Sequence, residues 1–211
     1  MKCAFGPVLR FLRHQTRQSQ EGFAKKYGFD RTYISELERA RRVPSLETLF
    51  RLSPGLNVSP ALMVAMTALR LKALRNPGFD ATAPPGVPEF PYVATGRLFP
   101  RDPKLSALCE ALGIVARTLR KRTGAPQRIT AARAAMNHTY VSTIERGHNN
   151  ASLTMLFRLS NGVGVTAAFL VHCVGVLIRA EMQRSAVDKL MSNIPVDMTV
   201  PLSVDFQHTR T

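Results

Sequence analysis

The chain repeats itself at an offset of 107 residues. Tyr33 to Ser53 (YISELERARRVPSLETLFRLS) lies without a gap over Tyr140 to Ser160 (YVSTIERGHNNASLTMLFRLS), and 11 of the 21 positions are identical. Chance gives about one or two, so the unit is duplicated. Between the copies, Asn76 to Lys104 holds seven of the 14 prolines, a composition that reads as a semi-extended spacer rather than a folded element. The expected organisation is therefore a first domain at 1–76, a proline-rich linker at 77–104, a second domain at 105–184 and a tail at 185–211.

Inside the first unit the apolar spacing is helical and no strand pattern competes. Val8, Leu9 and Leu12 mark one stripe. Ser19 then caps a helix from Gln20 to about Tyr27 that buries Phe23, Ala24 and Tyr27. Gly28 tolerates a left-handed turn, after which Asp30 caps Arg31 to about Arg39, with Ile34 and Leu37 inward. Pro44 and Ser45 start a fourth helix burying Leu46, Leu49 and Phe50, and Ser59 with Pro60 starts a fifth through Leu62, Met66 and Leu69. The second unit retraces this, with Asn137 and Ser152 as caps, Val141 and Ile144 buried, and Leu153, Leu156 and Phe157 packing. Each unit thus holds a helix, a short turn and a second helix.

Charge selects the partner. Lys and Arg number 29 against 14 Asp and Glu, a net charge of +15 and a pI near 10.8, and a surface of that kind attracts polyanions. Residues 1–76 hold +9 and 105–184 hold +7, while the linker is neutral and the tail is −1. Three scattered cysteines, Cys3, Cys109 and Cys173, support neither a disulfide framework nor a metal or redox pair, which points to a reducing compartment. The segment after Met1 reaches Arg10 and Arg13 without an apolar run, so no signal peptide is expected. Val163 to Ile178 is 16 residues long and contains His172, short of the roughly 20 that span a bilayer, and reads as a buried helix. No nucleotide-binding glycine loop, HExxH or GxSxG is present, so no enzyme, cofactor or metal is expected. His14, His138, His148 and His208 lack metal-ligand spacing. His172 and Cys173, with Met63, Met66 and Met182, read as core filling. Asn161 to Gly164 reads as a turn between helices, and no segment offers a small-molecule sensor.

Ser19-Gln20-Glu21, Phe23-Ala24, Gly28, Tyr33-Ile34-Ser35, Leu37-Glu38-Arg39, Pro44-Ser45-Leu46 and Leu49 resemble the lambda-repressor-like, Cro-type (XRE) helix-turn-helix family. Thr139-Tyr140-Val141-Ser142, Ile144-Glu145-Arg146-Gly147, Ser152-Leu153 and Leu156 resemble it again. The resemblance covers about residues 5–72 and 112–178, and implies an all-α chain of two tandem five-helix domains. It further implies that the second helix of each motif enters the major groove of DNA, its N-terminal residues against base edges. Those residues are Arg31, Thr32, Ser35 and Glu36, and His138, Thr139, Ser142 and Thr143. Arg31 can fork onto guanine O6 and N7, Thr32 can meet thymine, and Glu36 can accept from cytosine N4.

Phosphate contacts are expected from Arg17, Gln20, Tyr33, Arg39, Arg41 and Arg42, and from Gln127, Tyr140, Arg146, His148 and Asn149. Gln20 and Gln127 match the family's glutamine at the start of the preceding helix. Arg13 with Glu38, and Arg120 with Glu145, match its helix-to-helix ion pair. The second copy departs where Pro126 replaces Ser19, Thr130 replaces Phe23 and Ala135 replaces Gly28. Its alternatives are a second DNA reader or a packing and dimerisation module.

The fifth helices, Ala61 to Leu74 and Ala167 to Ile178, are apolar around most of their circumference. They pair either within one chain as a pseudo-dimer or between two chains, and a homodimer through them is the expectation. The tail, with Val200, Leu202, Val204 and Phe206, forms a short strand, docks on a partner, or orders only on contact. The resulting expectation is a cytoplasmic, nucleoid-associated regulator of transcription binding double-stranded DNA, a repressor reading spaced half-sites. The competing reading is an antitoxin-like or adaptor protein whose main partner is another protein.

Overall fold

The computed structural model describes residues 1–76 and 104–180. The linker, the tail, Met182 and His208 lie outside the described residues. Ten helices are present among them and no strand. The first five are α1 (Lys2–Gln15), α2 (Gln20–Tyr27), α3 (Arg31–Glu38), α4 (Leu46–Leu56) and α5 (Pro60–Arg75). The next five are α6 (Leu105–Arg122), α7 (Gln127–Arg133), α8 (His138–Glu145), α9 (Leu153–Val163) and α10 (Ala167–Arg179). Helices α2 to α5 each begin 107 residues before α7 to α10.

Local chemistry sets these starts. Ser19 Oγ accepts from Gly22 N–H, Asp30 Oδ1 from Thr32 and Tyr33, Ser45 Oγ from Thr48, and Ser59 Oγ from Leu62. Asn137, Ser152 and Thr166 cap α8, α9 and α10 in the same way. Each cap satisfies an amide that the first helical turn leaves open. Pro126 offers α7 no side-chain cap.

The stops repeat as well. Left-handed backbone occurs at Arg17 (φ 55°), Gly28 (67°), Ala40 (59°) and Asn57 (54°), and again at Gly124 (66°), Ala135 (49°), Gly147 (76°) and Gly164 (75°). These are the same four positions displaced by 107. Glycine occupies only one of them in the first set and three in the second, so L side chains carry the conformation at the others, at about 1–2 kcal/mol each.

The structure departs from the sequence pattern at the end of the second unit. The apolar run from Val163 to Ile178 is not one helix: α9 ends at Val163, Gly164 turns the chain, and α10 leaves at 100° to α9. Asn161 and Gly162 belong to α9 rather than to the turn, and Gly162 packs against α7, where a Cβ would stand 2.7 Å from Thr130 O. No single described helix is long and apolar enough to cross a membrane.

The two sets of helices share one hydrophobic core that runs from Phe5, Phe23 and Phe50 to Leu108, Leu112 and Leu170. The most extensive helix pairing is α5 against α10. The apolar fifth helices thus meet within a single chain, which covers part of the surface on which the expected homodimer depended, while Leu74 stays exposed. Burial on α5 falls on Ala61, Met63, Val64, Ala65 and Thr67, whereas Leu62, Met66 and Leu69 are half-buried. Helix α10 covers part of the circumference that the stripe assigned to the helix's own half.

Candidate nucleic-acid interface

The candidate surface is built outward from a buried carboxylate. Glu38, at the end of α3, receives Arg13 Nε at 2.6 Å on Oε1 and Arg13 Nη2 at 3.0 Å on Oε2, and Gln20 Nε2 at 2.7 Å on Oε2. One side chain therefore ties α1, α2 and α3 together. Arg13 also donates to Gln18 O at 2.6 Å, which fixes the chain entering α2. The close approach needs Gly6: a Cβ there would lie 2.6 Å from Glu38 O.

The same construction recurs around Glu145. Arg120 donates Nε at 2.6 Å and Nη2 at 2.9 Å, Gln127 donates at 2.7 Å, and Gly113 takes the place of Gly6. Burial pushes the Glu145 carboxyl up, but the bonds from Arg120 and Gln127 and the charges of Arg120 and Arg117 outweigh it. The carboxyl is left below its ordinary value. Arg117, which the sequence reading did not single out, also donates to Glu145 O at 3.1 Å. Gln20 and Gln127 thus direct their amide nitrogens into the scaffold, while Arg13 and Arg120 form the expected ion pairs.

With their C-terminal ends anchored, α3 and α8 turn their N-termini outward. Arg31, Thr32, His138 and Thr139 are exposed, and Ser35, Glu36, Ser142 and Thr143 are half-buried. Asp30 caps α3 from full exposure, and the N–H bonds it accepts, first from Thr32, hold its carboxyl below the ordinary value. Below these readers, Tyr33 OH bonds Thr48 Oγ1 at 3.0 Å and its ring stacks on Phe29. Arg51 lies over the Phe29 ring at 4.6 Å. Tyr140, whose hydroxyl is pushed up by burial, donates to Asn149 Oδ1 at 3.3 Å.

The cations divide. Arg17, Arg39 and Arg41 are exposed beside α3. Arg42 pairs with Glu36 at 2.5 Å and covers the Tyr33 ring, so a residue assigned to phosphate holds one assigned to a base. Arg146 folds onto α8, donating to Ser142 Oγ at 2.9 Å, and Thr143 Oγ1 donates back to Thr139 O at 2.8 Å. His148 is exposed. The sequence reading passed over the exposed Lys25 and Lys26 on α2 and Arg128 and Arg133 on α7. Their signal was available as basic residues on the outward positions of the helix before each reader.

In chemical terms the α3 surface offers a guanidinium fork, a hydroxyl with a methyl, and flanking positive charge. No group of three or more His, Cys, Asp or Glu that could hold a metal ion occurs among the described residues.

Comparison with known proteins agrees with this geometry. The sequence profile of a helix-turn-helix domain matches residues 4–66, the segment from α1 into α5. The control protein C.MunI of a Mycoplasma species is 42% identical over 60 residues, which are 28% of this chain and 81% of that protein. An uncharacterized HTH-type transcriptional regulator, y4dJ, of Sinorhizobium fredii (strain NBRC 101917 / NGR234) is 39% identical over 67 residues, 32% of this chain and 87% of that protein. No solved structure matches the chain. The domain match ends before α6, so the second set of helices rests on the internal repeat and its own geometry. Together, the identity over most of each relative and the α2–turn–α3 unit place the chain in the helix-turn-helix family of transcriptional regulators.

Proposed function

We propose that the protein is a sequence-specific duplex DNA-binding regulator that represses transcription by occupying its site. The observation that carries this reading is the exposed N-terminus of α3, with Arg31 and Thr32 outward and Arg17, Arg39 and Arg41 beside it, on a helix locked at its other end by Glu38. Arg31 reads guanine through its fork, and the flanking arginines neutralise phosphates. Helix α8 is the second reader, held by the equivalent Glu145 cluster, which makes the chain a tandem pair of helix-turn-helix units. Two such helices take successive faces of the major groove, with half-sites about 10 to 10.5 bp apart or a multiple of that.

The test is selection of bound fragments from a random duplex pool by the full chain at about 0.15 M salt, where nonspecific attachment is weak. A recovered motif is expected, and Arg31→Ala should cost about 1–3 kcal/mol on it while relaxing preference at one base pair. Binding that yields no motif and fades uniformly with salt would sink the reading and favour a protein partner. Placing the recovered site over a promoter in a reporter should lower transcription; raised transcription would make the protein an activator.

A further inference from the structure

The two halves of the chain meet around an internal two-fold axis. Ser45 and Ser152, which occupy the same position of the repeat, form an isolated antiparallel bridge with each other. Leu46 N–H donates to Ala151 O at 2.9 Å, and Leu153 N–H donates to Pro44 O at 2.8 Å. Replacing each residue of one bond by its counterpart in the other half, 107 positions on for Leu46 and 107 back for Ala151, gives the other, so the operation that maps one half onto the other exchanges the two. Helix α5 packs on α10, again an element on its own counterpart. This is the isologous pattern of a two-fold dimer interface, closed inside one polypeptide.

A two-fold axis between the halves relates α3 to α8, as the local dyad of a duplex relates its two half-sites. In a homodimer the paired readers are identical and the site is a palindrome. Here they differ in chemistry. Thr32 corresponds to Thr139 and Ser35 to Ser142 in the repeat, but Arg31 corresponds to His138 and Glu36 to Thr143. Only the first half has the guanidinium fork that fixes a G·C pair, worth about a five- to hundredfold preference over another base pair. A neutral imidazole has one donor and one acceptor and no fork. Arg146 moreover occupies Ser142 in the second half, whereas Arg42 occupies Glu36 in the first.

Resting on the DNA-reading function proposed above, we infer that one chain alone occupies a dyadic but asymmetric operator. Its half-sites are alike where the shared Thr and Ser read and unlike where Arg31 and His138 read, with a G·C pair fixed on the α3 side only. The occupant is duplex DNA at one chain per site, and no second copy is needed to complete the reader.

Selecting from a random duplex pool with the full chain, and weighing the complex on the recovered duplex by native mass spectrometry, tests this. Two unlike half-sites and one chain per duplex are expected. A second selection uses the double variant His138→Arg/Thr143→Glu, which makes the four reader positions equal in both halves; the recovered site should become an inverted repeat. Arg31→His/Glu36→Thr symmetrises the halves from the other side, should again give an inverted repeat, and guards against misfolding of the first variant. A palindrome from the parent chain, two chains per duplex, or an unchanged motif from folded variants of both kinds would overturn the inference and leave DNA reading intact. Failure to recover any motif would overturn both.

Discussion

Glu38 receives Arg13 through two parallel hydrogen bonds, at 2.6 and 3.0 Å, with both side chains less than a tenth exposed. A bidentate pair of this kind is strong because both charged groups have their hydrogen bonds met, and costly to break because the survivor is left buried. Glu38→Ala should lower stability by about 3–5 kcal/mol in urea unfolding. The double substitution Arg13→Met/Glu38→Leu should recover much of that loss. Equal losses in the single and double variants would mean that packing, and not the ion pair, sets the cost.

Ala135 sits at φ 49° where its counterpart is Gly28 at 67°. An L side chain there costs about 1–2 kcal/mol, offset in part by the greater freedom a glycine loses on folding. Ala135→Gly should therefore raise stability by about 0.5–1 kcal/mol, and Gly28→Ala should lower it. Thermal unfolding of both variants reads the two signs, and a loss from Ala135→Gly or a gain from Gly28→Ala would refute the account.

Thr130 is fully buried at the position Phe23 fills in the first half, and its hydroxyl has no hydrogen-bond partner. An unsatisfied buried hydroxyl costs about 1–3 kcal/mol, and valine has nearly the same shape without it. Thr130→Val should stabilise the fold by about 1 kcal/mol. A loss on chemical denaturation would show that the hydroxyl is solvated within the core.

His172, on α10, is pushed down to about 4 by burial and by the charge of Arg179. In the unfolded chain it titrates near 6.5. Between these values the unfolded state binds a proton that the folded state refuses, so stability is full above 6.5 and falls as pH drops toward 4. The melting temperature of His172→Gln should vary less than the parent's across that window. Parallel curves would remove His172 from the acid response.

Arg39 and Arg41 are exposed and outside the ion pair that holds Arg42 and the hydrogen bond that holds Arg146. Each should contact a phosphate, so Arg39→Ala and Arg41→Ala should each flatten the salt dependence of DNA binding by about 0.9 in log–log slope. Base preference should stay unchanged. A changed motif with an unchanged slope would reassign the residue to base reading.

Much of this architecture is legible in the sequence because its signals are local. A capping side chain reaches an amide two or three residues away, so Ser19, Asp30, Ser45, Ser59, Asn137 and Ser152 announce their helices in any context. The family motif likewise identifies the Arg13–Glu38 and Arg120–Glu145 pairs, which recur at fixed spacing. What escaped was non-local. Nothing within Pro44 to Leu46 signals that its backbone bonds to Ala151 and Leu153, since main-chain partners leave no mark on side-chain composition. The Glu36–Arg42 and Ser142–Arg146 pairs depend on rotamers, and spacing alone offered those arginines to phosphate. Other signals were present but unused. Gly124, Gly147 and Gly164 mark left-handed positions that Arg17, Ala40 and Asn57 hide in the other half. Gly164 and Thr166 spell a stop and a new cap inside the apolar run from Val163 to Ile178.

The bridge between Ser45 and Ser152 also bears on how such a chain tolerates change. In an assembly of identical subunits every substitution strikes twice, once on each side of the axis, and a weakened position is weakened in duplicate. Here Pro126, Thr130 and Ala135 depart from Ser19, Phe23 and Gly28 in one half alone, and the core both halves share distributes the loss over the whole fold. One half keeps the well-capped, glycine-turned motif, so a change in its twin leaves that motif intact.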